Sequence, residues 1–165
     1  SCHSACLHVP LIIAGPGWRG GKRIEDLVST ASLPKTWVAM AGIDVGTSMT
    51  GENLAEIAGG TAKTRSNEIF AQISESRVGR CIRTPEYLYS VYAPGKDGKT
   101  YPGSDIYQDD FLYDLKADPF ELNNLAGDAR YAVVREDLAA RLKKAMVQAG
   151  EMEPVILEAG EKIKS

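Results

Sequence analysis

The sequence predicts a chain that runs from α/β into α+β architecture: one strand–helix unit, then a four-stranded antiparallel sheet packed on a long C-terminal helix. Three observations predict it. The aliphatic run from Val9 to Ala14 stops at Gly15-Pro16-Gly17, and helical spacing follows at Leu33, Trp37 and Met40. Short alternating or aromatic-rich runs, separated by turn residues, then fill residues 69–115. Last, Val134, Leu138, Leu142, Ala145 and Met146 recur on one face of a helix. A strand–helix pair followed by consecutive strands and one packing helix is an α+β pattern.

Taken in order, Val9–Ala14 reads as a short buried strand, because aliphatic and β-branched residues bounded by Gly-Pro-Gly suit a pleated, buried segment. Arg23 to Gly42 has helical character. Ser32 suits an N-cap, Pro34 fits a first turn where no backbone donor is missed, and Gly42 suits the residue past the end. Gly42 to Arg65, rich in Gly and Thr, reads as loop with one turn of helix around Leu54. It sets the main boundary between residues 1–62 and 63–165. The four strands are expected near Ile69–Ile73, Val78–Arg83, Tyr87–Tyr92 and Phe111–Leu115, the third with Tyr87, Tyr89 and Val91 on one face. Thr84-Pro85, Asp97-Gly98 and Asp118-Pro119 are turns. Asp128 is placed to cap the final helix and Gly150 to end it, and Asp137 can pair with Arg141 on its surface. The remainder, from residue 151, reads as a tail docked through Val155, Ile156 and Leu157.

The length of 165 residues is enough for one domain or two small ones with a real core. A net charge of −3 gives no electrostatic ground for nucleic acid or an anionic membrane. No apolar run approaches the roughly 20 residues of a membrane span. Three cysteines, an odd number, do not make a disulfide framework. There is no initiator Met, and Ser1 stands almost on the expected strand, so the sequence is expected to start inside a longer fold.

The opening SCHSACLH places two cysteines and two histidines within eight residues. In an extended chain Cys2, Cys6 and His8 share one face and His3 the other. Cys2 and Cys6 then lie about 13 Å apart, too far for zinc ligands that sit about 2.0–2.3 Å from the metal. A helix would bring them together, but no second ligand pair follows, and Cys81 stands apart. Cys2 and Cys6 therefore read as small buried hydrophobes. Gly15, Gly17 and Gly20 match G-x-G-x-x-G, but Pro16 removes a donor from any phosphate cradle and Gly21-Lys22-Arg23 delays a helix. Gly46-Thr47-Ser48-Met49-Thr50-Gly51 is one residue too long for a nucleophile elbow. Asp105, Asp109 and Asp110 are expected to be solvated rather than metal-binding. The residues by themselves give no complete catalytic set.

Four stretches together resemble the C-terminal part of sulfatases of the arylsulfatase family, in the alkaline phosphatase superfamily. They are SACLHVPLIIAGPG, DLVSTASLPKTWVAMAGI, CIRTPEYLYSVY and FLYDLKADPFELNNLAG. The last is the most specific: an aromatic-rich strand, an Asp-Pro turn, a Glu, then Asn-Leu. Their order and spacing cover nearly the whole chain. The resemblance implies a C-terminal fragment of an alkaline-phosphatase-like sulfatase fold. Residues 1–62 would be the last strand–helix unit of its large domain and residues 63–165 its small C-terminal subdomain.

For the parent, the resemblance implies hydrolysis of sulfate esters of a small molecule or carbohydrate, in a periplasmic or secreted setting. It also implies a formylglycine nucleophile, a calcium ion on the sulfate oxygens, and Lys and His groups that neutralise charge. The Cys-x-Pro-Ser-x-Arg motif that receives the modification is absent from this sequence, as is the family's metal-binding Asp pair. Matching Val9-Pro10 to the family's Val-Pro puts His3 at an aromatic position, Ser4 in place of a Glu, His8 at a basic position, and the catalytic Lys just before Ser1. His3 is thus the one candidate substrate-binding residue, against the simpler reading that it fills an aromatic slot beside the site. No catalytic or metal-binding residue is assigned, and the fragment is expected to be inert alone. Ser32 stands where the family has Asp, and Lys35 replaces a common second Pro. Two rivals stay open: a stand-alone, non-catalytic interaction module, and a fragment of a related phosphate or phosphonate ester hydrolase. No charge lies between Val9 and Ala14, so a fragment is expected to self-associate through that strand edge.

Overall fold

Alternation of apolar residues between Val78 and Asp114 builds a sheet that buries side chains on both faces. The computed structural model describes residues 1–18, 20–44, 46, 48–62 and 65–160. In chain order its elements are α1 (Ser4–Leu7), α2 (Leu33–Met40), α3 (Leu54–Gly59), β1 (Ile69–Ser74), β2 (Val78–Arg83), β3 (Tyr87–Tyr92), β4 (Ile106–Asp114), α4 (Ala132–Gln148) and β5 (Val155–Leu157). Two compact units emerge: Pro10–Ile69, and Ser1–Val9 together with the chain from Phe70 onward. Lys63 and Thr64, at the boundary expected from the sequence, lie outside the described residues, as does Thr47 of the rejected nucleophile stretch.

The larger unit carries one sheet in the order β1-β2-β3-β4-β5. β2 and β3 are antiparallel, with Cys81 opposite Ser90 and Arg83 opposite Leu88. β3 and β4 are antiparallel too, with a register shift between Ser90 and Val91 that leaves Asp110 as an extra residue on β4. The sheet is thus one strand larger than the four-stranded expectation, and mixed rather than antiparallel. The segment read as a docked tail pairs parallel to β4, Ile106 opposite Val155. A parallel neighbour needs a long crossover, and α4 supplies it.

One face of the sheet packs Val78, Ile82, Tyr89, Val91 and Leu112 against Leu138, Leu142 and Met146 of α4, all essentially buried. The i, i+4, i+8 spacing of those three helix residues is the stripe the sequence shows. Asp128 caps the short 3₁₀ turn Ala129–Tyr131 that leads into α4, rather than α4 itself. Gly150 follows the helix at φ +90°, as a helix stop requires. The other face packs Cys2, Cys81, Leu88, Phe111 and Tyr113.

Arg80 is buried at 2% exposure. Its guanidinium reaches Glu151 at 2.7 Å and the carbonyls of Gly79 and Pro102 at 2.8 Å each. One charge therefore ties β2 to the 93–105 loop and to the chain after α4. Gly98, from the expected Asp97-Gly98 turn, lies so close to β1 that a Cβ would sit 2.6 Å from the Glu75 amide nitrogen.

The smaller unit is built differently. Arg23–Gly42 was expected to be helical, but only Leu33–Met40 is, preceded by the 3₁₀ turn Thr30–Ser32. Ser32 does not cap α2; its hydroxyl accepts from the Glu52 amide at 3.0 Å instead. Thr36, fully buried, donates to the Ser32 carbonyl at 2.7 Å and accepts from the Leu54 amide at 3.0 Å. Arg65 binds Glu52 and Asp26 at 2.9 Å each and the Leu27 carbonyl. Leu54 and Ile57 are its buried aliphatic side chains. Val9–Ala14 is not a strand: it has no regular structure and pairs with no neighbour among the described residues. A ladder needs a partner, and aliphatic composition alone does not provide one. The strand edge expected to drive association is therefore an exposed segment instead, with Ile12 91% exposed.

Candidate functional site

The opening residues sit on the sheet face opposite α4, and each takes a different direction. Cys2 is buried at 1% exposure against Cys81, while Cys6 and His8 are exposed. A single helical turn separates Cys2 from Cys6, yet it does not bring them to one point. Among the described residues no group of three or more His, Cys, Asp or Glu side chains could hold a metal ion. Cys2 and Cys81 interact directly: hydrogen bonding to Cys2 holds the Cys81 proton above the ordinary thiol range, and burial adds to it. Both thiols are free and serve as packing.

His3 is half-buried on an aromatic platform. Its ring centroid lies 4.4 Å from Phe111 and 5.7 Å from Tyr113, and those two rings lie 5.0 Å apart. Its Nε2 is 3.4 Å from the Tyr113 hydroxyl, and its Nδ1 meets the Ser1 hydroxyl. Tyr113 holds its phenolic proton above the usual range, first because it is buried and then because Glu121, Asp110 and Asp118 are negative. The histidine thus rests against the platform as the aromatic slot implies, with both ring nitrogens engaged.

Ser4 joins this turn to the rest of the sheet. Its amide donates to both Glu121 carboxylate oxygens at 3.1 Å, and its hydroxyl accepts from Arg83. Glu121 reaches back because its own backbone is left-handed, at φ +58°. The motif around it is a set of local caps. Asp118 accepts from the Leu122 and Asn123 amides at 2.8 and 2.7 Å. Asn124 accepts from the Leu112 amide at 3.1 Å and donates to the Asp110 carbonyl at 2.9 Å. Family-like spacing in FLYDLKADPFELNNLAG is therefore the spacing of a scaffold that fixes Phe111, Tyr113 and Glu121 relative to His3.

The acidic trio of the 105–110 region is divided. Asp109 is buried and accepts from the Tyr89 hydroxyl, with Arg135 at 3.6 Å. Burial raises its pKa, against the opposing pull of Tyr89 and Arg135. Asp110 forms a forked pair with Arg77, and Asp105 is exposed. Sequence reading missed Arg83 and Tyr113 as neighbours of His3. A basic residue inside an otherwise apolar strand, in CIRTPEY, was the available signal for the first.

Residues 2–148 match the family model described as N-sulphoglucosamine sulphohydrolase, C-terminal. The chain is 30% identical over 151 residues to a Delta 4,5-hexuronate-2-O-sulfatase of Bacteroides thetaiotaomicron, covering 86% of this chain and 29% of that protein. It is 28% identical to human arylsulfatase K, covering 76% of this chain and 24% of that protein. The solved structure of a 2-O GAG sulfatase superimposes with a TM-score of 0.65 at 27% identity, over 83% of this chain and 29% of the other. The chain thus spans less than a third of the length of the proteins it matches.

Proposed function

The chain belongs to the N-sulphoglucosamine sulphohydrolase C-terminal family, and from that premise we propose that it is the C-terminal region of a hydrolase that removes sulfate from carbohydrate esters. The observation that carries this reading is the joint at Ser4, whose amide donates to both Glu121 oxygens at 3.1 Å. It fastens the turn carrying His3 to the Asp118–Asn124 turn, the most specific stretch of the resemblance. The named relative whose substrate is a 2-O-sulfated hexuronate supports a sulfated sugar as the substrate class.

In this proposal residues 1–62 belong to the large domain, with α2 as its helix and Val9–Ala14 as a segment that would need a neighbouring strand to form a ladder, and residues 63–165 form the small subdomain. His3 lines the edge of the substrate cleft, where its Nε2 can exchange the long 3.4 Å contact with the Tyr113 hydroxyl for a hydrogen bond to a sugar hydroxyl. The calcium and formylglycine that the resemblance implies do not fit the described residues. These offer no cluster of metal ligands, and no cysteine of the chain lies in the modification motif. The chain by itself is therefore expected to turn over no sulfate ester.

The test is sulfate release, read by ion chromatography, from 2-O-sulfated unsaturated hexuronate and from sulfated glucosamine by the complete gene product that carries this chain. Release from either supports the reading. Folded protein that releases none from any sulfated sugar overturns it. His3→Ala in the active protein is expected to raise KM about tenfold, on the scale of one lost hydrogen bond to a charged or strongly polar ligand.

A further inference from the structure

We propose that Arg83 reads a second anionic group on the sugar, a carboxylate or a further sulfate, distinct from the sulfate that is removed. The proposal rests on the sulfatase reading above. Every other described arginine has a carboxylate partner within salt-bridge distance. Among the described residues Arg83 has none, and its one described bond goes to a neutral hydroxyl, Ser4 Oγ. A guanidinium carries five N–H donors in a flat fork, so most of this one's capacity is uncommitted.

Its position gives that capacity a direction. Arg83 is the last residue of β2, opposite Leu88, and Leu88 is buried in the cluster that holds Cys2, Phe111 and Tyr113. Through Ser4 it adjoins the residue next to His3, on the sheet face away from α4. The nearby negative group, Glu121, has both oxygens on the Ser4 amide, and no ion pair joins it to the Arg83 guanidinium among the described residues. A half-buried guanidinium gives up hydration and, without a counter-ion, receives no ion pair in return. A carboxylate or sulfate matches the fork with two parallel hydrogen bonds and supplies the missing charge. Lys at this place would keep the charge and lose the fork.

The experiment compares kcat/KM of the complete gene product on three probes: p-nitrophenyl sulfate, which has no second anion; 2-O-sulfated unsaturated hexuronate, which adds a carboxylate; and N,6-disulfated glucosamine, which adds a sulfate. The quantity read is each sugar's kcat/KM divided by that of the aryl sulfate in the same preparation. Arg83→Gln is expected to lower that ratio about 10- to 100-fold, the scale of a charge-assisted hydrogen bond, mainly through KM. Arg83→Lys is expected to lower it about two- to tenfold. The sugar with the larger drop identifies which anion Arg83 reads. An Arg83→Gln ratio within twofold of wild type for both sugars overturns the proposal while leaving the hydrolase reading intact. Where Arg83→Gln does not accumulate as folded protein, an unchanged ratio in Arg83→Lys overturns it. Wild-type protein that cleaves none of the three probes overturns the hydrolase reading itself, and this subsite with it.

Discussion

The two units of this chain are held by opposite means. The larger one buries a continuous apolar layer between sheet and α4, Val78, Ile82 and Tyr89 against Leu138, Leu142 and Met146, all at or below 1% exposure. The smaller one is tied by polar cross-links through Thr36, Ser32 and Arg65, around little more than Leu54 and Ile57. It exposes Leu11, Ile12, Trp37, Met40 and Ile43, which a unit complete in itself would bury. Hydrogen bonds fix a conformation, but apolar burial supplies most of the free energy of folding. The larger unit thus carries its own core, while the smaller one has a defined shape around a thin core.

The largest expected effect would break that contrast in the larger unit. Glu151→Ala leaves Arg80 buried without its carboxylate and is expected to cost about 3–5 kcal/mol, read as a drop in the urea midpoint of β-sheet unfolding. Leu142→Ala is expected to cost about 2–4 kcal/mol by the same measurement, because it opens a cavity between α4 and the sheet. Thr36→Val probes the smaller unit. It leaves the Leu54 amide without its acceptor and is expected to cost about 1–3 kcal/mol, seen as faster hydrogen exchange confined to residues 30–60. A Thr36 effect as large as that of Leu142 would erase the distinction between the units.

Ile12→Lys is expected to shift stability by no more than about 0.5 kcal/mol, since Ile12 is 91% exposed. We expect it nevertheless to move the sedimentation of the isolated chain toward single molecules, as the exposed aliphatic residues are expected to promote self-association. The smallest effect concerns Asp128. Hydrogen bonds from the Arg130 side chain, then from its amide, hold that carboxyl at about 2. A folded value below the ordinary carboxylate range means the contribution is present above that range and is lost as pH falls through about 2. Arg130→Ala should raise the Asp128 titration midpoint toward the ordinary range, followed by NMR.

What could be read in advance divides along the same physical line. β2 and β3 lie where the runs VGRCIR and YLYSVY placed them, because local alternation and aromatic content carry that information. Half of β4 was missed because Gln108, Asp109 and Asp110 look like loop. Asp109 is tolerated inside only because Tyr89 and Arg135, far away in sequence, meet it there. Val9–Ala14 was misread for the converse reason: its residues suit a strand, but pairing depends on neighbours that composition does not reveal. The motif DPFE flagged Glu121, and the resemblance set His3 in an aromatic slot. That the slot is walled by Phe111 and Tyr113, with Arg83 close to it, is tertiary information with no local signature.

The extra residue Asp110 has a consequence for the heredity of this fold. Tyr107 and Asp109 point toward α4, and two-residue periodicity would send Phe111 and Tyr113 the same way. The inserted residue reverses the parity of the strand halfway along, so that Phe111 and Tyr113 emerge on the opposite face under His3. One strand therefore serves two masters. A deletion of that single codon, besides costing Arg77 its carboxylate, would swap the platform of the histidine into the helix layer, whereas many point changes along the same strand would not.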